Sequence, residues 1–373
     1  MWFLNEVCPN VFLVDIEHFG QPGLGGAYIV VSEEIALVDT GTSLAKERML
    51  AGLKELGIRK DRVKWIFLTH VHLDHAGGAG ALLPEFPNAT VVVHPRGAKH
   101  LADPTKLVAS TKSAVGERFR FYGEAVPIPE NRIYSAQDGE IFQLGKLRVQ
   151  AIDSPGHAPH HLCFFVPERG WLFTGDAVGL YIKGRLLPTT VPPSFDLEAS
   201  LAPLDRLAPL NPKKRLFTPF GPGEPTLIEV YRKLLHSWVE RVRRHRDKPE
   251  EEAVSAVLAE IQAEGFPGDR VFPATGPCPC AACFSTCAAG RPVDRLRSPP
   301  GSRDLWLRLP CSGGNGGQSR RLGEGPVWKT RASWNCSGNP GKTGVPRGAP
   351  KHPPAIGSSL APAVPPLPSP RER

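Results

Sequence analysis

The stretch THVHLDHAGG, Thr69–Gly78, decides how this chain is read: it gathers His70, His72, Asp74 and His75 into six residues. The apolar run Trp65–Leu68 leads into it as a buried strand, and Gly77 and Gly78 suit a tight loop entering a helix. Imidazole is the commonest protein ligand of zinc-like ions, and a carboxylate adds charge compensation. An extended or turning backbone lets rings 70 and 72 converge on one position. Asp74 and His75 then point to a neighbouring one.

Two stretches further along carry groups of the same kind. DSPGHAPHH, Asp153–His161, sets His157 in a Pro-Gly turn after the strand Leu147–Ile152. FTGDA, Phe173–Ala177, sets Asp176 directly after the strand Trp171–Thr174, where a carboxylate is well placed to bridge two ions. His161 opens the next strand and reads as a supporting group rather than a ligand.

Around these stretches the front of the chain alternates short apolar runs with turn signals. Val11–Val14, Ala27–Val31, Ile35–Val38, Thr90–Val93, His161–Val166 and Leu216–Thr218 read as strands. Leu44–Leu56 reads as a helix stopped by Gly57, and Leu197–Leu207 as another. Lys99–Phe121 reads as helix with loops. Pro225–Lys248 reads as a long amphipathic helix with an apolar stripe of Leu227, Val230, Tyr231, Leu234, Leu235, Trp238 and Val242, and Pro249 starts a further helix that ends at Gly265. The order suits an α/β fold of two sheets packed face to face with helices outside. We expect a catalytic domain over 1–223, a helical extension over 224–272 and a tail over 273–373.

Charge and cysteine divide the chain in the same way. Residues 276–373 carry 14 Lys+Arg against 4 Asp+Glu, while residues 1–275 carry 31 against 33. The net +8 therefore comes from the tail, and overall basicity is no argument for nucleic acid. The tail has 17 Pro and 14 Gly in 98 residues, a composition that cannot bury enough apolar surface to offset chain entropy. It reads as disordered, or as the product of a shifted reading frame. Its cluster CPCAACFSTC, Cys278–Cys287, reads as chance clustering more readily than as a metal module. Only Cys8 and Cys163 lie in the front part, the usage of a reducing compartment. No apolar run approaches the roughly 20 residues of a membrane span, and MWFLNEVCPNVFLVD lacks a basic leader segment. The expectation is a cytoplasmic protein that acts on a small molecule, without a nucleic-acid or membrane partner, and able to pair through its long helix.

With these residues in this order, the chain resembles the metallo-β-lactamase-fold hydrolase superfamily, which includes zinc β-lactamases, glyoxalase II enzymes and lactonases. The resemblance covers about residues 8–223. It implies a four-layer αββα sandwich and a zinc centre with two ions. His70, His72 and His157 would hold the first ion, Asp74 and His75 the second, and Asp176 would bridge them. Asp39, in LVDTGTS, would support the metal loop from behind. The family places one more histidine after the last core strand. Here that text is FTPFGPGEP and the matching residue is Pro219, which has no donor atom. Three readings follow: a weak second ion, replacement by a group such as Glu224, or a site with one ion or none that works.

The chemistry the resemblance implies is hydrolysis. A bound ion lowers the pKa of water from 15.7 toward about 7, and two ions roughly 3.5–4 Å apart can share the resulting hydroxide. That hydroxide attacks an ester, thioester, lactone or amide carbonyl. Asp74 would orient it and then shuttle the proton, and Tyr181 would donate to the developing oxyanion. The alternative is a mononuclear iron oxygenase of the same fold, similar to persulfide dioxygenases, with Fe2+ or Mn2+ in place of zinc. A nuclease is not favoured by the −2 charge of the front part. A binding protein with a damaged site has Pro219 as its support. The loops near Lys99–Phe121 and Lys183–Phe195 are expected to shape the pocket, and Arg241–Arg246 to be a solvated helix face.

Overall fold

The short apolar runs pair into two sheets in the structure, a computed structural model that describes residues 3–182, 184–189, 196–218 and 221–263. The chain divides into two compact units, Met1–Asp304 and Leu305–Arg373, and the second lies wholly outside the described residues. Outside them too lie Gly265, the tail from 273 onward with its cysteine cluster, Pro219, and most of Lys183–Phe195. The expectations for those positions fall on undescribed chain.

The first sheet has seven strands side by side in chain order: β1 (Leu4–Cys8), β2 (Val11–Asp15), β3 (Gly26–Val31), β4 (Ile35–Val38), β5 (Val63–Phe67), β6 (Thr90–Val93) and β7 (Ile133–Ser135). Strands β1–β4 are antiparallel neighbours, and β4–β7 run parallel. Parallel neighbours need crossovers, and helices supply them. These are α1 (Lys46–Glu55), then α2 (Leu73–Ala76) with α3 (Ala79–Leu82), then α4 (Pro95–Ala102) with α5 (Thr105–Val115). The second sheet contains β8 (Ile141–Leu144), β9 (Leu147–Asp153), β10 (Leu162–Val166) and β11 (Trp171–Phe173). A separate hairpin, β12 (Leu180–Ile182) and β13 (Arg185–Leu187), and helix α6 (Leu197–Leu207) follow. The chain then returns to the second sheet as β14 (Lys214–Phe217) and β15 (Gly221–Gly223), and ends its described part in α7 (Leu227–Arg244) and α8 (Glu250–Ala263). The second sheet's order is β15-β14-β11-β10-β9-β8.

Both faces of each sheet are buried, which makes the architecture a four-layer αββα sandwich. Between the sheets, Tyr28, Val30, Val38 and Phe67 meet Phe142, Val149, Phe164 and Phe173. On the outer face of the first sheet, Ile29, Leu37 and Ile66 pack under Met49, Leu53 and Leu82. On the outer face of the second, Cys163, Phe165 and Leu172 pack under Leu204, Tyr231, Leu235 and Trp238. A fully buried side chain of this size contributes roughly 1.5–3 kcal/mol, so both sheets are held from two sides.

The stripe on α7 is rotated from the one expected. Ile228 and Val239 are buried, while Val230 is 45% exposed. The buried face packs on this chain's own second sheet and α6, in one core with the strands before it. Arg241–Arg246 is not a simple solvated face either. Arg241 is buried 3.4 Å from Glu260 of α8, and Arg244 and His245 reach the same carboxylate at 2.6 and 2.7 Å. Six short strands were not anticipated: β1, β7, β8, β12, β13 and β15. They are edge strands or three-residue ladders; β15 is Gly-Pro-Gly, which reads as a turn until β14 pairs with it.

This order brings the loops after β4, β5, β9, β11 and β14 to one rim. Two backbone bonds tie the sheets together there: Leu162 N donates to Thr69 O at 2.7 Å, and Gly26 N to Thr218 O at 2.7 Å. The Tyr28 hydroxyl adds a third tie, to Phe217 O at 2.7 Å.

Candidate metal centre

Asp39 anchors the rim. It follows β4 in a left-handed conformation, φ 56°, and is fully buried. Its carboxylate accepts from Thr69 N at 2.8 Å and from Thr69 Oγ1, and its Oδ2 accepts from His75 Nδ1 at 2.9 Å. The Thr69 hydroxyl has one proton, which goes to Asp39, so it accepts from His70 Nδ1 at 3.1 Å. These bonds fix both tautomers: His70 and His75 each present a bare Nε2 when neutral. The loop lies close against the β4 turn, where Gly78 N donates to Gly41 O at 2.9 Å. A Cβ on Gly78 would come 2.8 Å from Thr40 O and 2.9 Å from Thr42 O, so only glycine allows the approach.

His70, His72 and His157 converge. His72 Nδ1 lies 3.0 Å from His70 Nε2 and 3.0 Å from His157 Nε2. Burial holds all three imidazoles below their ordinary pKa, and for His70 and His72 well below it. Neutral rings with converging nitrogens are what a divalent ion takes as ligands. A second group shares His70: its donor atoms, with those of His75 and Asp176, lie within 4.8 Å of one another, as do those of His70, His72 and His157. Asp176 stands between the two, with Oδ2 3.4 Å from His157 Nε2 and Oδ1 3.3 Å from His75 Nε2. Asp74, in the first turn of α2, is 38% exposed and 3.8 Å from His75 Nε2. The donor set fits a metal ion, and Asp176 is the carboxylate that two neighbouring positions would share.

Asp176 is held through its backbone from two sides. Its N–H donates to His161 Nε2 at 3.1 Å, so His161 supports the centre without ligating. Its carbonyl accepts from Thr189 Oγ1 at 2.9 Å, and Thr189 Oγ1 lies 2.8 Å from the buried hydroxyl of Tyr231 on α7. Sequence reading missed Thr189 and Tyr231; no local pattern links residues 42 apart. Gly175, φ 47°, lies below this knot, and a Cβ there would sit 2.6 Å from His161 Nε2 and 2.7 Å from Thr69 Cβ. Gly175→Ala is therefore expected to displace Asp176, lowering the melting temperature by several degrees and weakening metal binding together. A variant with wild-type melting and metal content would contradict this packing.

His75 differs electrically from its neighbours. Burial alone would push it toward neutrality, but the carboxylates of Asp176, Asp74 and Asp39 outweigh burial and hold it well above its ordinary pKa. Asp176 shows the counterpart: burial would raise its carboxyl, and the imidazoles of His75 and His157 hold it below the usual range. An ion that takes Nε2 of His75 must expel that proton. Loading that position is expected to release about one proton per ion at neutral pH, and its affinity to rise with pH. Titration calorimetry in buffers of different ionisation enthalpy checks this; heats independent of the buffer would refute it.

Not every expected residue joins the cluster. The ring of Tyr181, on β12, lies tilted on Phe217 with centroids 5.2 Å apart, within the outer core of the second sheet. Glu224 is 72% exposed and 3.6 Å from Lys214, at the end of β14 remote from the rim, so it does not fill the gap left by Pro219. An aromatic wall that sequence reading did not resolve includes Tyr122, whose hydroxyl feels the Asp74 charge. His18 and Phe19 pack with Phe121 and Tyr122, and burial followed by the Asp74 charge raises the Tyr122 hydroxyl above its ordinary pKa.

Comparison with known proteins agrees with the geometry. Residues 21–218 match the family model of the metallo-beta-lactamase superfamily. The chain is similar to the metallo-beta-lactamase fold-containing protein ST1585 of Sulfurisphaera tokodaii, at 31% identity over 58% of this chain and 80% of that protein. The crystal structure of ST1585 superposes with a TM-score of 0.54, covering 61% of this chain and 86% of that one at 28% identity. An atrochrysone carboxyl ACP thioesterase of Aspergillus fumigatus is 29% identical over 47% of each chain. A hydroxyacylglutathione hydrolase of Legionella pneumophila is 26% identical over 35% of this chain and 39% of its own. The chain thus spans about half or less of the length of these two hydrolases. On the family match, the fold and the ordered ligand set, the chain belongs to the metallo-beta-lactamase superfamily.

Proposed function

We propose that the protein is a metal-dependent hydrolase that opens the ester, thioester or lactone carbonyl of a small molecule. The observation that carries the reading is the convergence of three buried, neutral imidazoles at 3.0 Å spacing beside a carboxylate shared with a fourth. When zinc is bound there, it supplies acidified water and polarises the carbonyl. The residues do the rest. Asp74, half-buried beside His75, would orient the attacking water and carry its proton to the leaving group. Asp39, Thr69 and His161 hold the ligand rings and Asp176 in register. Phe19, Phe121 and Tyr122 offer an apolar surface for the acyl part of the substrate. The thioesterase and hydroxyacylglutathione hydrolase relatives support a carbonyl substrate, and a thioester first among them.

The iron-dependent oxygenase alternative is supported by Pro219, because one complete position suffices for a single ion. Metal analysis of the full chain with a panel of esters, thioesters and lactones tests the choice. The proposal expects zinc and hydrolysis lost on chelation. One iron per chain with persulfide-dependent oxygen uptake would replace it with the oxygenase, and no metal with no turnover would end both. A small-molecule substrate, a cytoplasmic setting and pairing of copies remain part of the proposal. Among the described residues, no helix is long and apolar enough to cross a membrane.

A further inference from the structure

The loop between β2 and β3 carries a histidine that the ligand set above does not use. His18 opens a single helical turn, flanked by the left-handed residues Glu17 and Phe19. Its ring lies 3.9 Å from that of Phe19 and edge-on to Tyr122 at 4.8 Å. The residue is 8% exposed, and among the described residues neither Nδ1 nor Nε2 has a hydrogen-bond partner. A buried polar group left without a partner costs about 1–3 kcal/mol, and an exception of this kind marks an ion, a water or a ligand.

The position of the loop narrows the choice. Its base is fixed to the end of β14 by Gly26 N donating to Thr218 O at 2.7 Å, one residue before Pro219. Its other flank lies on the metal loop's support: a Cβ on Gly41 would sit 2.7 Å from Ile16 Cδ1, and Gly41 O accepts from Gly78 N. The loop therefore lies between the strand end where the family's extra histidine is missing and the turn that carries Asp74 and His75. Burial lowers the pKa of His18 and keeps the ring neutral, and the charges it feels are those of Asp74 and His75. Of the donors around the second position, Asp176 is shared with the first, so Asp74 and His75 are the two that belong to the second alone. A third gives the three protein ligands usual at an open catalytic zinc position.

We propose that His18 supplies the missing imidazole of the second metal position, standing in for the histidine that Pro219 replaces. The inference rests on the metal-dependent reading above. His18 is outside the two groups whose donor atoms lie within 4.8 Å, so its ring would have to move toward them to share an ion held there.

The test is metal binding to the full chain, measured as zinc stoichiometry and stepwise affinity, with cobalt absorption as a second readout. The wild-type chain is expected to bind two ions. His18→Ala and His18→Gln are expected to keep the first at unchanged affinity, which shows that they fold, and to weaken the second by about 100-fold or more. Pro219→His in the His18→Ala background is expected to restore the second ion. Unchanged binding of the second ion in both His18 variants overturns the inference. A wild-type chain that saturates at one ion also overturns it but leaves the metal-dependent reading standing; a chain that binds none overturns both.

Discussion

Replacing His70 by alanine is expected to empty the first metal position and to lower turnover by about a thousandfold or more. His70 Nδ1 is committed to Thr69, so the ring's one free nitrogen, Nε2, serves a single ion, and without it the group of three imidazoles is incomplete. The effect should exceed the roughly 10–100-fold that removal of an outer hydrogen bond costs a metal site. The fold should survive. Burial keeps the His70 ring neutral, so its removal strands no charge, and the cost is that of a cavity, about 2–4 kcal/mol. Metal per chain after dialysis, read beside circular dichroism and initial rates, separates the outcomes. A folded His70→Ala protein that retains two ions and its activity would contradict the assignment of the centre.

Asp39→Asn is expected to lower metal affinity by about 10–100-fold, though Asp39 lies outside both groups of converging donors. Asparagine tolerates the left-handed backbone at φ 56° and keeps the side chain's size. It cannot accept at both oxygens, however, and its amide group would face either the Thr69 donors or His75 Nδ1. The tautomers of His70 and His75 are then no longer fixed. Asp39→Ala adds strain at a positive φ and leaves buried donors without a partner, so it is expected to be less stable than Asp39→Asn by about 1–3 kcal/mol. Melting temperatures of both variants alongside metal titrations check the order. Equal metal affinity in wild type and Asp39→Asn would show that the centre does not depend on that carboxylate.

Much of the fold was legible because each sheet is buried on both faces. Runs such as Ala27–Val31 and Ile35–Val38 are apolar throughout, and turn residues bound them. The strands that escaped notice lack such runs: Ile141–Leu144 alternates exposed and buried residues at a sheet edge, and Gly221–Gly223 becomes a strand through its partner. The α7 stripe was found but turned, because Ile228 and Val239 lie beside the face that spacing alone picks out.

The sequence by itself determined the donors, since ligand chemistry belongs to residue types, and THVHLDHAGG, Gly156–His157 and Gly175–Asp176 state it in short stretches. The resemblance added Asp39 behind them. Only the tertiary structure decided which nitrogen each ring presents, that Tyr231 steadies Asp176 through Thr189, that Tyr181 lies on Phe217 and Glu224 on Lys214, and that His18 is buried without a hydrogen-bond partner among the described residues. Contacts of this kind join residues as far apart as Tyr28 and Phe217, 189 positions along the chain. They follow from how two sheets meet at a rim, and no local spacing encodes that meeting.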